Sequence, residues 1–176
     1  MPGYYYRKYP DGSPCNGSGC GNDIATERSM CAKYILDSVL FWAEEYQMDG
    51  FRFDLMGLLD TQLMETIRKA LDDRWGRGEK LLYGEPWSCG ETVMARGFYR
   101  SDKKHLSGMD TQIGAFCDGV RDGIKGSVME HMAKGFVNGG RRKEADILHS
   151  ISGWCGNYRK FSASAPSQIV NYLSCH

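Results

Sequence analysis

The stretch Asp49-Gly50-Phe51-Arg52-Phe53-Asp54-Leu55-Met56-Gly57 limits the fold more than any other part of the chain. Aromatic and charged residues alternate in it, and Asp-Gly and Gly57 punctuate its ends, which is the pattern of a strand. Side chains two apart share a face, so Arg52 and Asp54 are expected on one side and Phe51, Phe53 and Leu55 on the other. A helical pattern precedes the strand. Cys31, Tyr34, Ile35, Ser38, Val39, Trp42 and Tyr46 recur at three-and-four spacing and predict one buried stripe, with Thr26 as N-cap and Glu27 in the first turn. A second helix is expected from about Thr61 to Asp73, capped by Asp60 or Thr61. Its weaker apolar side is formed by Leu63, Met64, Ile67, Lys69 and Leu71. Lys80 to Tyr83 reads as the next strand and delivers Glu85 at its end, where Pro86 cannot donate to a sheet ladder. Helix, strand, helix, strand in this rhythm predicts an α/β fold with a parallel sheet and crossover helices.

Ile113 to Phe116 and Gln168 to Leu173 are two further short strands. Arg121 to Gly126 and Gly153 to Ser164 are expected as loops, Val128 to Ala133 as a modest helix or turn, and Arg141-Arg142-Lys143 as surface. Residues 1–22 are rich in Gly, Ser, Pro and Tyr without periodicity, and are expected to form a long surface loop. Four strands with polar residues at their C-terminal ends fit part of a (β/α)8 TIM barrel, whose complete form takes about 250 residues. Residues 1–176 are therefore expected to be an incomplete barrel domain, truncated at both ends.

Lys and Arg together number 22, as do Asp and Glu, so the formal net charge is zero. Neither nucleic acid nor an anionic membrane is indicated as a partner. No apolar run reaches the roughly 20 residues a bilayer span requires. The seven cysteines contain no Cys-x-x-Cys pair, which argues against a zinc ribbon or a thioredoxin-like site. Reduced, structural thiols are expected, and with them a cytoplasmic location, secretion being the alternative.

Asp54 and Glu85 fall at the ends of successive strands, one βα unit apart. Adjacent strands lie about 4.8 Å from one another, so the two carboxylates can approach the roughly 5–5.5 Å gap used by retaining glycosidases. One carboxylate would attack the anomeric carbon, and the other would protonate the leaving oxygen. Arg52 beside Asp54 favours its ionised form. Tyr83, Pro86 and Trp87 give Glu85 a less polar setting suited to an acid. Trp87 offers a flat face for a sugar ring, a core tryptophan being the alternative. The structural alternative for Arg52 and Asp54 is a buried ion pair.

Gly50-Phe51-Arg52-Phe53-Asp54-Leu55-Met56-Gly57, Tyr83-Gly84-Glu85-Pro86-Trp87 and Val170-Asn171-Tyr172-Leu173-Ser174-Cys175-His176 resemble three signature regions of the α-amylase superfamily, glycoside hydrolase family 13. The flanks Pro2-Gly3-Tyr4-Tyr5-Tyr6-Arg7, Asn16-Gly17-Ser18-Gly19-Cys20-Gly21-Asn22 and Arg121-Asp122-Gly123-Ile124-Lys125-Gly126 look closer to type I pullulanases. The resemblance implies that Asp54 is the nucleophile, Glu85 the general acid/base and Arg52 the residue positioning Asp54. It places His176, Trp87, Asn171 and Met56 in the substrate-binding set, and the chain at the fourth to seventh strands of the barrel. The implied reaction is retaining hydrolysis of α-1,6 branch linkages in an α-glucan partner such as pullulan, amylopectin or glycogen. No cofactor and no metal-ligand loop is identified, and a structural calcium is left open. The family's aspartate after the histidine of its last region, and its first region with an Asn-His pair, are absent from the chain. The polypeptide alone is therefore expected to have little or no hydrolase activity. An α-1,4-acting or isoamylase-like member of the superfamily, or a non-catalytic glycan-binding relative, are the alternatives.

Overall fold

The computed structural model describes residues 2–130, 132–155, 161 and 163–174. In chain order these hold a one-turn helix α1 (Pro2–Tyr5), α2 (Ser29–Glu45), β1 (Gly50–Phe53), α3 (Thr61–Trp75), β2 (Leu81–Gly84), β3 (Gly114–Phe116), α4 (Asp118–Lys125), α5 (Glu144–Ile151) and β4 (Ile169–Val170). The strands form one parallel sheet in the order β1-β2-β3-β4. This is the α/β fold with parallel pairing that the alternation of patterns predicts.

Register fixes what each face of the sheet carries. Phe51 pairs with Leu82, Gly84 with Ala115, and Ala115 with Ile169. Leu82 and Ala115 are buried in a core with Val39 and Ala43 of α2, Leu63, Met64, Ile67 and Leu71 of α3, and Val120 of α4, while Phe51, Phe53 and Ile169 pack against it. The opposite face carries Arg52, which pairs with Tyr83, and Phe116, which pairs with Val170. A helix layer thus covers one face, and the other is left to the charged and aromatic side chains.

Helix α3 begins as expected. The Asp60 side chain accepts the Leu63 amide at 2.9 Å, one of the free donors of the first turn. Lys69, grouped with its apolar side, is instead exposed and pairs with Asp73, whereas Arg68 is the buried residue. Helix α2 departs further. Thr26 does not cap it; its hydroxyl accepts the Asp60 amide at 3.0 Å, and the helix starts after Arg28 without a side-chain cap. Its buried residues are Cys31, Val39 and Ala43, while Tyr34, Trp42 and Tyr46 of the expected stripe are exposed. The helix is apolar on more than one side, so periodicity alone could not choose the face. Helix α2 packs on α3, and the outward-facing rings of Phe41, Trp42 and Tyr46 lie edge-on or tilted against one another.

Helix α4 replaces the loop expected at Arg121 to Gly126, and α5 forms where no element was expected. Gly119 and Gly123 give α4 a low helical propensity, and tertiary packing overrides it. A methyl group at Gly119 would lie 2.8 Å from the Trp154 ring, and one at Gly123 2.9 Å from Asp146 of α5. Of the helix or turn expected over Val128 to Ala133 the turn is present, the Ala133 amide donating to the Glu130 carbonyl, and β4 spans two residues rather than six.

Residues 1–22 were expected as a surface loop, yet the segment is anchored through buried polar groups. Arg7 is 2 % exposed, pairs with Glu27 at 2.8 Å, and donates to the Leu58 carbonyl at 2.7 Å. Asp23 accepts the Gly17 and Ser18 amides, each at 2.8 Å. Burial alone would raise the Asp23 carboxyl, but the Thr92 hydroxyl and these two amides outweigh it and hold the group below its ordinary value. Its contribution to stability is therefore complete above the carboxyl value of the unfolded chain, and is lost as pH falls through the lower folded-state value. Removing one partner of the Arg7–Glu27 pair leaves an uncompensated buried charge. Arg7→Met is expected to destabilise the protein by about 3–5 kcal/mol in urea unfolding, and Arg7→Met with Glu27→Leu to recover part of that loss. Equal unfolding midpoints for wild type and Arg7→Met would contradict this anchoring.

Candidate active site

The site is assembled at the C-terminal ends of β1 and β2. Phe53 pairs with Gly84, so Asp54 and Glu85, each one residue on, leave the sheet at the same height. Arg52 joins them. Its Nη1 donates to Asp54 Oδ1, and its Nη2 donates to Glu85 Oε1 at 3.0 Å. The planar guanidinium fork can hold two carboxylates in one plane. The two differ in access: the Asp54 side chain is 77 % exposed and that of Glu85 is 11 % exposed.

The chain turns sharply after Asp54. Leu55 adopts the left-handed conformation (φ 45°, ψ 45°), which costs a non-glycine residue roughly 1–2 kcal/mol. The turn aims the Leu55 amide at Glu85 Oε2, 2.9 Å away. The less polar setting expected for Glu85 is therefore not what the structure shows, since one of its oxygens meets a cation and the other a backbone amide. Gly57 then passes against the backbone of Trp87. Its amide donates to the Glu85 carbonyl at 2.8 Å, and a methyl group there would lie 2.6 Å from the Trp87 carbonyl oxygen.

The remaining expected site residues divide. Trp87 is half-buried, and Lys103 lies over its ring, 5.6 Å from the centroid, while also pairing with Asp118. Asn171 is exposed just beyond β4. Met56, expected among the substrate-binding residues, is fully buried in the core and packs over Gly84, where a sugar cannot reach it. His176 lies outside the described residues. Among the described residues, no group of three or more His, Cys, Asp or Glu is placed to hold a metal ion.

Sequence reasoning missed the aromatic row on the same face. Phe116 lies under Arg52, its ring centroid 5.5 Å from the guanidinium carbon, and packs edge-on against Tyr83 at 5.5 Å and Tyr172 at 5.0 Å. Arg121 of α4 donates to the Tyr172 hydroxyl at 3.0 Å. The available signal was phase: Tyr83 pairs with Arg52, and Phe116 and Tyr172 fall on the same side of the sheet by the two-residue alternation.

Known proteins resemble this chain in sequence and in fold. Over its full length the chain is 38 % identical to the pullulanase of Bacillus subtilis (strain 168), of which it covers 24 %. It is 36 % identical to the chloroplastic pullulanase 1 of Arabidopsis thaliana, covering 23 % of that protein. Among solved structures, a pullulanase from Paenibacillus barengoltzii in complex with maltohexaose and alpha-cyclodextrin superposes on 99 % of this chain with a TM-score of 0.89 at 38 % identity; the match covers 26 % of that chain. No family model matches. The chain is a pullulanase-related region, and it spans about a quarter of the length of these relatives.

The close approach of Gly57 to Trp87 sets how Glu85 meets Asp54. Gly57→Ala must push the Trp87 backbone away, an overpacking expected to cost about 1–3 kcal/mol in urea unfolding. Any turnover of the full-length protein carrying this chain should fall with it. Unchanged stability would show that the two backbones are not in contact.

Proposed function

We propose that residues 1–176 are the central part of the catalytic (β/α)8 barrel of a retaining α-glucan debranching glycosidase acting on α-1,6 linkages. The observation that carries this reading is the single Arg52 guanidinium bonded to both Asp54 and Glu85 at adjacent strand tips. Charged groups at the C-terminal ends of parallel strands are where a barrel of this kind performs chemistry. That the Paenibacillus barengoltzii relative binds maltohexaose supports a neutral α-glucan as substrate.

In this reading the exposed Asp54 carboxylate attacks the anomeric carbon. The bond from that carbon to the bridging oxygen breaks, and the oxygen takes a proton from Glu85. A water then attacks the same carbon, giving a proton back to Glu85 and releasing Asp54, so configuration is retained. Each carboxylate oxygen has two lone pairs, so Glu85 can carry its proton while still accepting the Leu55 amide. Arg52 bonds to both carboxylates and fixes them against rotation. Trp87, Asn171 and His176 contact the sugar. The incomplete-barrel reading draws support from a four-stranded sheet among the described residues, against the eight strands of a whole barrel.

The experiment is hydrolysis of pullulan against linear amylose by the full-length protein. Cleavage of pullulan is expected, with Asp54→Asn and Glu85→Gln each lowering kcat by at least about 10²–10⁴-fold. The 176-residue chain alone is expected to show little turnover. Preference for amylose would move the reading to an α-1,4-acting relative, and wild-type rates in both variants would leave a glycan-binding protein.

A further inference from the structure

A second concavity, of about 700 Å3, lies between the start of α3 and the segment 99–110, and neither Asp54 nor Glu85 lines it. Its walls are two rings. Tyr99 is 60 % exposed, and its ring centroid lies 5.4 Å from that of His105 at an angle of 41°. Asp102 Oδ1 holds the His105 ring through Nδ1 at 2.8 Å, so that wall is fixed. The rim is polar and ordered. Glu65 accepts the Asp110 amide at 2.6 Å, and Asp110 is gripped by both Nη atoms of Arg77 at 3.0 and 3.2 Å. Gln62, exposed at the first turn of α3, adds an amide that can both donate and accept.

An exposed flat ring beside an amide and a carboxylate complements a ligand with an apolar face and a hydroxylated edge. Asp110 is already paired with Arg77, but among the described residues no Lys or Arg lines the concavity and Glu65 adds a carboxylate, so its lining disfavours phosphate and other anions. Among the described residues, no cluster of three or more His, Cys, Asp or Glu suits a metal ion. A neutral sugar fits the remaining chemistry, because ring C–H groups lie on the aromatic face while hydroxyls meet Gln62 and Glu65.

We propose that the Tyr99–His105 shelf is a second, non-catalytic binding site for a glucosyl unit of an α-glucan chain. The identity of the sugar rests on the debranching reading above. The shelf is tied rigidly to the site. The Thr61 amide donates to the Tyr99 carbonyl at 2.9 Å, the Ser101 amide to the Leu59 carbonyl at 2.8 Å, and Arg100 Nε to the Gly57 carbonyl at 2.6 Å. A polymer held at Tyr99 therefore has its neighbouring units kept at high effective concentration near Asp54 and Glu85. A short oligosaccharide gains nothing from this.

The test is electrophoresis of the full-length protein through gels containing amylopectin, in an Asp54→Asn background so that the polymer is not consumed. Tyr99→Ala is expected to weaken retardation by about two- to tenfold in apparent Kd, the scale of one lost aromatic contact, with Tyr99→Trp restoring it. Tyr99→Ala in the otherwise wild-type protein should turn over a short branched oligosaccharide at the wild-type rate, which also shows that the variant folds. Retardation unchanged by Tyr99→Ala, or absent in both proteins, overturns the shelf whether or not the enzyme hydrolyses pullulan. Retardation that depends on Tyr99 in a protein that cleaves no α-glucan would uphold the shelf and overturn the debranching reading instead.

Discussion

The contact on which the site depends is the Arg52 fork between Asp54 and Glu85. Two carboxylates at one height on adjacent strands repel each other, and a guanidinium between them turns that repulsion into a fixed arrangement. Parallel register supplies the equal height, since Arg52 pairs with Tyr83 and Phe53 with Gly84. Phe116 supports the fork from β3, two strands away. Exposure then separates the carboxylates, leaving Asp54 open and Glu85 covered. Polarity does not separate them, because Glu85 is met by donors on both oxygens.

Around that contact the backbone is forced into close or strained geometry. Leu55 occupies a left-handed conformation that a leucine disfavours, and by doing so points its amide at Glu85. Such strain persists only where the surroundings over-determine it. The surroundings here are specific. Gly57 locks against Trp87, Arg100 binds the Gly57 carbonyl, and Arg7 binds the Leu58 carbonyl from the anchored N-terminal segment. Arg7 thus acts on the site from a distance in sequence, through the turn that follows β1.

Much of this was legible in the residues. The alternation from Gly50 to Phe53 gave the strand and its faces, Asp60 gave the start of α3, and Pro86 the stop after Glu85. The parallel sheet followed from the order of the patterns. What was not legible has physical causes. Helix α2 is apolar on several sides, so its buried face, with Val39 and Ala43 in the core, is set by packing rather than by periodicity. Gly119 and Gly123 lower helical propensity locally, and only contact with Trp154 and α5 makes α4 a helix. Met56 stands two residues from Asp54, yet the turn at Leu55 breaks the alternation and sends it into the core. The buried partner of Arg7 is twenty residues away at Glu27, beyond any local pattern.

Parallel pairing, helices on one face of the sheet and charges at the strand ends are geometric facts of this chain, and its likeness to pullulanases runs over nearly all of it. The claim that unites them is energetic coupling through one guanidinium. A double-mutant cycle tests it most directly, with kcat/KM on pullulan measured in the full-length protein for Arg52→Ala against Asp54→Asn and against Glu85→Gln. The account predicts coupling of at least about 1 kcal/mol for both pairs, the scale of residues sharing one ion-pair network. Additive losses for either pair would contradict it.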